Sequence, residues 1–213
     1  QASDTEIVNF LVDERMIAQT FPVNDSETEQ EINSIQANNK IDRQGLRSAL
    51  KEDNPVLFAE PAGLYAARGE VPDGQFTVPI GKASVQRQGK DVTLGSYGHG
   101  MRVLHAVADE LAKRGVAAEV IDLRSLNPLD MDTVVASVQK TNRALLLDMA
   151  RRTGGAMSEV AARLQETASE WLDGPVVRVG AEDVPWPYNR DLEQEALPRA
   201  EDVVGALKTA YGI

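Results

Sequence analysis

Residues 91–123 read DVTLGSYGHGMRVLHAVADELAKRGVAAEVIDL. The stretch opens on Asp91 to Tyr97, a short apolar-rich run of strand length. Gly98-His99-Gly100 then forces a tight turn. After it, Met101, Leu104, Val107, Ala108 and Leu111 recur at the three- and four-residue intervals of one helix face. Gly115 follows Arg114 where a left-handed cap ends a helix at least cost. Ala117 to Leu123 is a second near-continuous apolar run. Strand, crossover helix and strand make a βαβ unit, and strands apolar on both faces belong to a parallel sheet covered by helices on each side.

The same grammar repeats toward the C-terminus. A helix begins after Asp130, a candidate N-cap, with Met131, Val134, Val135 and Val138 facing inward. Arg143 to Asp148 is the next strand. Gly154-Gly155 opens a helix whose buried face reads Met157, Val160, Ala161, Leu164, Ala168 and Trp171. Pro175 to Val179 is another strand, followed by the Pro-rich Asp183-Val184-Pro185-Trp186-Pro187-Tyr188. A last helix starts near Arg199 and turns Val203, Val204 and Leu207 inward. The sum is a three-layer α/β/α domain with a sheet of about five strands.

Toward the N-terminus the pattern loosens. Residues 60–91 carry Gly63, Gly69, Pro72, Gly74, Pro79, Gly81 and Gly89, which exclude a helix and suit a long extended excursion with a short hairpin. Before it, Leu46, Ala49 and Leu50 predict a short helix, Asp53-Asn54-Pro55 a turn, and Pro55 to Ala59 a buried strand. Ile7, Val8, Leu11, Val12 and Met16 have the spacing of an exposed helix, which Phe21-Pro22 breaks ahead of an acidic, Asn-rich run. Residues 1–41 are therefore expected to be an irregular, mainly helical segment, and residues 42–213 the domain.

Composition narrows the chemistry. With 42% hydrophobic and 26% charged residues in 213, the chain can bury one sizeable core. No run reaches the roughly 18 apolar residues of a membrane helix, and the start QASDTEIVNF lacks signal-peptide grammar, so a soluble, non-secreted protein is expected. Absent cysteines remove disulfides, thiolate metal sites and thiol nucleophiles. A net charge of −11 repels a phosphate backbone and favours a basic partner. Residues 1–41 hold eight acids and two bases, and 170–202 nine acids and three bases, patches that suit either a solvated, solubilising surface or a docking role.

No self-sufficient catalytic constellation emerges. Gly98-His99-Gly100 lacks the rest of a dinucleotide fingerprint and any P-loop lysine, which leaves a plain βα turn. His99 and His105 stand six apart, not on one helix face, so a histidine metal site has no support. Ser96, Ser125 and Ser158 have no nucleophile-elbow context. Asp122, Arg124 and Asp130 bracket a strand end and a helix start, where ion pairing and capping account for them. Arg151 and Arg152 beside Gly154-Gly155 suit an anion at a helix N-terminus, or the carboxylates of a neighbouring subunit. The sequence therefore offers no catalytic, cofactor-binding or metal-ligating residue.

Several strings, in order and spacing over some 170 residues, resemble one family. They are Gly45-Leu46-Arg47-Ser48-Ala49-Leu50 with Asp53-Asn54-Pro55-Val56-Leu57-Phe58, Gly69-Glu70-Val71-Pro72, and Val78-Pro79-Ile80-Gly81-Lys82-Ala83. Tyr97-Gly98, Val120 to Leu126 with Pro128-Leu129-Asp130, Arg152-Thr153-Gly154-Gly155, and Asp183-Val184-Pro185 with Pro187-Tyr188 complete the set. Together they resemble the C-terminal, transketolase-C-like domain of the β subunit of thiamine diphosphate-dependent 2-oxo acid dehydrogenases of the pyruvate, branched-chain or acetoin type. Asp148-Met149 departs from the His-Glu that family members commonly carry. Residues 1–41 do not resemble the end of the family's pyrimidine-binding domain.

The resemblance implies a five-stranded mixed sheet with one antiparallel strand. It implies a β–β homodimer, an α subunit, and docking to the peripheral subunit-binding domain of a lipoyl acyltransferase within a multienzyme complex. Asp173 and the carboxylate of Ile213 are the matching docking positions. Arg151, Arg152, Gly154 and Gly155 fall at a subunit interface or a helix-terminus anion. Thiamine diphosphate and magnesium are expected only in the assembled enzyme, with none on this chain alone, and neither nucleic acid nor membrane is an expected partner. The setting implied is cytoplasmic, or the mitochondrial matrix in a eukaryote. Two other readings stay open: the C-terminal component of a split transketolase-type enzyme, and a free-standing anion-binding regulatory domain.

Overall fold

The computed structural model describes residues 16–20, 48–49, 55–61 and 78–213. The chain divides into two compact units, residues 1–78 and 79–213. In the first, β1 (Met16–Thr20) pairs antiparallel with β2 (Leu57–Pro61), in register from Met16 opposite Pro61 to Thr20 opposite Leu57. Met16 was expected to close a helical stripe and is instead in a strand. The sequence Ile17-Ala18-Gln19-Thr20 behind it carries two β-branched residues, and a ladder with 57–61 pairs one edge of its backbone. The rest of that stripe lies outside the described residues. The strand expected at 55–59 is present, shifted by two residues, but it is not buried: Leu57 is 46% exposed. Ser48 and Ala49 are helical and buried, as the short-helix reading requires.

The second unit holds β3 (Ser84–Arg87), β4 (Val92–Ser96), α1 (Gly100–Lys113), β5 (Ala118–Asp122), α2 (Met131–Thr141) and β6 (Ala144–Arg151). It continues with α3 (Ala156–Ala168), β7 (Val177–Ala181), α4 (Arg190–Ala196) and α5 (Ala200–Tyr211). The sheet order is β3-β5-β4-β6-β7. β4 runs parallel to both β5 and β6, β7 is parallel to β6, and β3 is antiparallel to β5. This is the five-stranded, one-antiparallel sheet that was expected. The segment before β4 forms no local hairpin among the described residues, because β3 pairs with the later strand β5.

Alternation along each strand explains the two helical layers. Leu145 and Leu147 join Met101, Leu104, Val107, Leu111, Val203 and Leu207 in one core, so α1 and α5 cover that face. Ala144 and Leu146 join Val134, Val138, Met157, Val160 and Leu164 in the other, so α2 and α3 cover the opposite face. Every residue of β4 is buried. Truncating a fully buried leucine such as Leu104 or Leu146 to alanine costs about 2–5 kcal/mol in cores of this kind. Between the layers, Thr93 Oγ1 sits 2.7 Å from both Ser137 Oγ and Thr141 Oγ1, which seats α2 on β4 without an orphaned hydroxyl.

Helix ends follow the residues that set them. Gly115, at φ +80°, ends α1 in the left-handed conformation, with Val116 N–H returning to Leu111 O at 3.0 Å. Asp130 caps α2 as expected: its carboxylate accepts from Thr133 N–H at 3.3 Å and Thr133 Oγ1 at 2.9 Å. Two expectations need correction. Trp171 is 42% exposed, because α3 gives way to a 3-10 turn at Ser169–Trp171 that rotates it off the buried stripe. Helix α4 was not anticipated; it is short, follows two prolines and buries only Ala196.

Candidate functional site

Since β6 and β7 run parallel, their starts share one end of the sheet and their finishes the other. Asp173 and Ile213 belong to the first end, and Arg151, Arg152, Gly154 and Gly155 to the second.

At the first end, α2 stops at Asn142, whose φ of +60° turns the chain into β6. Asn142 Nδ2 donates to Trp171 O at 2.7 Å, and Asp173 N–H donates to Asn142 O at 2.8 Å, clipping residues 171–173 to that turn. The Asp173 carboxylate lies 3.6 Å from Arg143 Nε and keeps 59% of its side chain in solvent. Arg143 also lies over the Tyr211 ring, 5.8 Å from its centroid. Tyr211 accepts from Ala144 N–H at 3.2 Å and donates to Pro175 O at 2.6 Å, which brings the end of α5 beside the Asp173 loop. Burial pushes its hydroxyl above the ordinary tyrosine pKa; the Ala144 N–H and the Arg143 charge oppose this, and Asp173 adds to it. Ile213, two residues on, is half-buried against the α1/α5 core. The corner therefore holds an exposed, partly neutralised carboxylate on a rigid turn, with the end of α5 beside it.

At the second end, Asp148 is 2% exposed. Its Oδ1 accepts from Tyr97 Oη at 2.8 Å and Ala150 N–H at 3.0 Å, and its Oδ2 from Met157 N–H at 3.2 Å in the first turn of α3. A Cβ on Gly155 would stand 2.6 Å from both Asp148 Oδ2 and Arg151 O, so only glycine fits there. The carboxylate thus occupies part of the helix N-terminus that an external anion would use. Thr153 is tied to Asp183 by Oγ1 at 2.6 Å and N–H at 3.3 Å. The Thr153 hydroxyl, then its N–H and the charges of Arg151 and Arg152, hold Asp183 below the ordinary aspartate pKa against a smaller desolvation effect. Arg178 donates to Ser158 Oγ at 2.7 Å and Arg152 O at 3.2 Å. Arg151 and Arg152 themselves are exposed.

Sequence reasoning missed Asp148 as an internal cap, the Thr153–Asp183 clamp, and the Arg143–Tyr211 pair. The first two join residues nine and thirty apart, with no local spacing to mark them. A tyrosine in the last turn of the final helix was the available signal for the third.

Residues 81–203 match the family model described as transketolase, C-terminal domain. The chain belongs to that family. It is 41% identical over 169 residues to a mitochondrial pyruvate dehydrogenase E1 component subunit beta-2 of Oryza sativa subsp. japonica, covering 78% of this chain and 45% of that protein. It is 37% identical over 182 residues to the Bacillus subtilis (strain 168) acetoin:2,6-dichlorophenolindophenol oxidoreductase subunit beta, covering 85% and 53%. Among solved structures it is similar to one titled split gene transketolase, inactive beta4 tetramer, at 30% identity and a TM-score of 0.58 over 70% of this chain and 47% of that one. The transketolase C-terminal resemblance drawn from the sequence strings therefore holds. The chain spans about half the length of the curated relatives it matches.

The described residues do not fit a thiamine diphosphate–magnesium group. Among them no three carboxylates or histidines are grouped to hold a metal ion. The helix N-terminus beside Arg151 and Arg152 is taken by Asp148. No helix among the described residues is long and apolar enough to cross a membrane.

Proposed function

We propose that this chain supplies the C-terminal domain of the β subunit of a thiamine diphosphate-dependent 2-oxo acid dehydrogenase, where it serves subunit assembly and docking to the acyltransferase core. The observation that carries the reading is 41% identity across 78% of the chain to a subunit named pyruvate dehydrogenase E1 beta. In this reading the cofactor and magnesium are held by the assembled enzyme, and the chain works with a second copy and an α subunit in the cytoplasm or the mitochondrial matrix. The acidic chain and the exposed Asp173 carboxylate suit a basic subunit-binding domain, whose lysines and arginines would exchange solvent for Asp173 and the C-terminal carboxylate of Ile213. Arg151 and Arg152 are read as subunit contacts rather than an anion site, since Asp148 already satisfies the adjacent helix end.

The test is binding of the chain to an immobilised peripheral subunit-binding domain of a lipoyl acyltransferase at low and high salt. Association driven by charge is fast and weakens as salt rises. Asp173→Lys is expected to weaken binding about tenfold or more, the range typical of reversing one interfacial charge. No binding at low salt by a chain with a folded circular-dichroism spectrum would overturn the docking role. It would favour the split transketolase-type component, a reading supported by the likeness in fold to the split gene transketolase.

A further inference from the structure

Residues 182–196 leave the end of β7 and return to it, with Glu182 N–H donating to Ala196 O at 3.0 Å. The closed excursion is pinned by polar contacts, one to Thr153 outside it and the others within it. Asp183 is held by Thr153, Trp186 Nε1 donates to Glu193 Oε1 at 3.3 Å, and Asn189 Oδ1 accepts from Asp191 N–H at 2.9 Å and Leu192 N–H at 3.3 Å. These polar contacts fix the loop without help from its outward apolar side chains. Even so, Val184 is 43% exposed, Leu192 59%, and Tyr188 fully. An ordered loop that keeps large apolar side chains in water is the usual mark of a contact surface. Being pinned beforehand, it loses little freedom when something binds.

Charge selects the occupant. Within 182–196 stand Glu182, Asp183, Asp191, Glu193 and Glu195 against Arg190; from outside the loop the charges of Arg151 and Arg152 act on Asp183 and Arg199 lies 3.8 Å from Glu195, so the negative side of the surface rests on Glu182, Asp191 and Glu193. A second copy of the same surface, or a phosphate-rich one, would meet like charge. We propose that residues 184–192 form a docking surface for a protein segment presenting lysine or arginine beside an apolar side chain. The apolar group would pack on Tyr188 and Leu192 while the cations face the surrounding carboxylates. This surface follows β7, whereas Asp173 precedes it, so the inference does not depend on the docking reading at Asp173.

The test titrates the full, nitrogen-15-labelled chain at low salt with an amphipathic peptide of leucine and lysine. Peptides of glutamate with leucine and of lysine with glycine serve as comparisons. The expected result is amide shifts centred on 182–196 with the leucine–lysine peptide only. Affinity should fall about tenfold in the double variant Tyr188→Ser, Leu192→Ser. It should fall again in Asp191→Asn and at high salt. Both variants alter exposed side chains outside the internal anchors, and an unchanged spectrum elsewhere verifies their fold. Shifts centred on 170–173, shifts spread over every acidic surface, equal binding of the lysine–glycine peptide, or unchanged affinity in the double variant would each overturn it.

Discussion

Asp148 is a buried carboxylate with three donors and no counter-charge within its set: a tyrosine hydroxyl and two backbone N–H groups. Removing it takes the acceptor from the buried Met157 N–H and from the part-buried Ala150 N–H, and breaks the Tyr97 hydroxyl's bond to it. Asp148→Ala is therefore expected to cost about 2–4 kcal/mol, read as a lowered urea midpoint at unchanged slope. Asp148→Asn keeps one acceptor oxygen but points an amide N–H₂ at a donor, so it should recover only part of the loss. Full recovery by asparagine would show that shape, not acceptor chemistry, matters there. Nothing local in the sequence announces this residue. Its partners sit at positions 97, 150 and 157, and only folding brings Tyr97 to it; the visible oddity was merely that Asp148-Met149 replaced His-Glu.

Element by element, legibility tracked how much of an element's surface is apolar and periodic. The stripes of α1, α2 and α5 announce themselves because their buried positions repeat every three or four residues, and α4 does not because one alanine is all it buries. β1 was missed because Met16 continues a helical spacing while its strand partner lies some forty residues ahead. The α2 cap is the case where a local signal and a tertiary one coincide. Asp130 is 5% exposed; burial opposes its ionisation, but hydrogen bonds from Thr133 Oγ1, Ala83 N–H and Thr133 N–H, with the Lys82 charge, outweigh burial and hold its pKa below the ordinary aspartate. A depressed folded pKa means its contribution is fully present above the unfolded value and is lost as pH falls through the folded one. Stability should thus decline on acidification from about pH 5 toward pH 3, the window set by an ordinary aspartate pKa near 3.9 and a lower folded value. Asp130→Asn should flatten that part of the profile while lowering stability at neutral pH by about 1–2 kcal/mol. Parallel pH curves for both proteins in urea melts would assign the acid sensitivity to other carboxylates.

On the scale of the whole molecule, the two-faced sheet was readable because strands with helices on both sides are buried on both sides, as β4 and residues 144–148 of β6 are. The sites were readable only as isolated residues. Sequence could name Asp173 and Arg151 but not that they occupy opposite ends of the same parallel strands, since that follows from strand direction and order. The same organisation bears on independence. Among the described residues both core clusters draw only on positions beyond 82, and all five strands of the large sheet start at or after Ser84. Residues 79–213 therefore hold the apolar burial and the backbone pairing that a cooperative domain needs. A fragment beginning at Pro79 is expected to unfold in one sharp urea transition and to keep the amide spectrum of residues 84–213 seen in the whole chain. It should also retain Asp173 on its clipped turn, so under the docking role proposed above its affinity for a basic subunit-binding domain should match that of the full chain within about twofold, the scatter expected when no contact residue is removed. A fragment that is helical in the far ultraviolet but lacks a sharp transition would mean that residues 1–78 complete the fold of the large sheet rather than merely precede it.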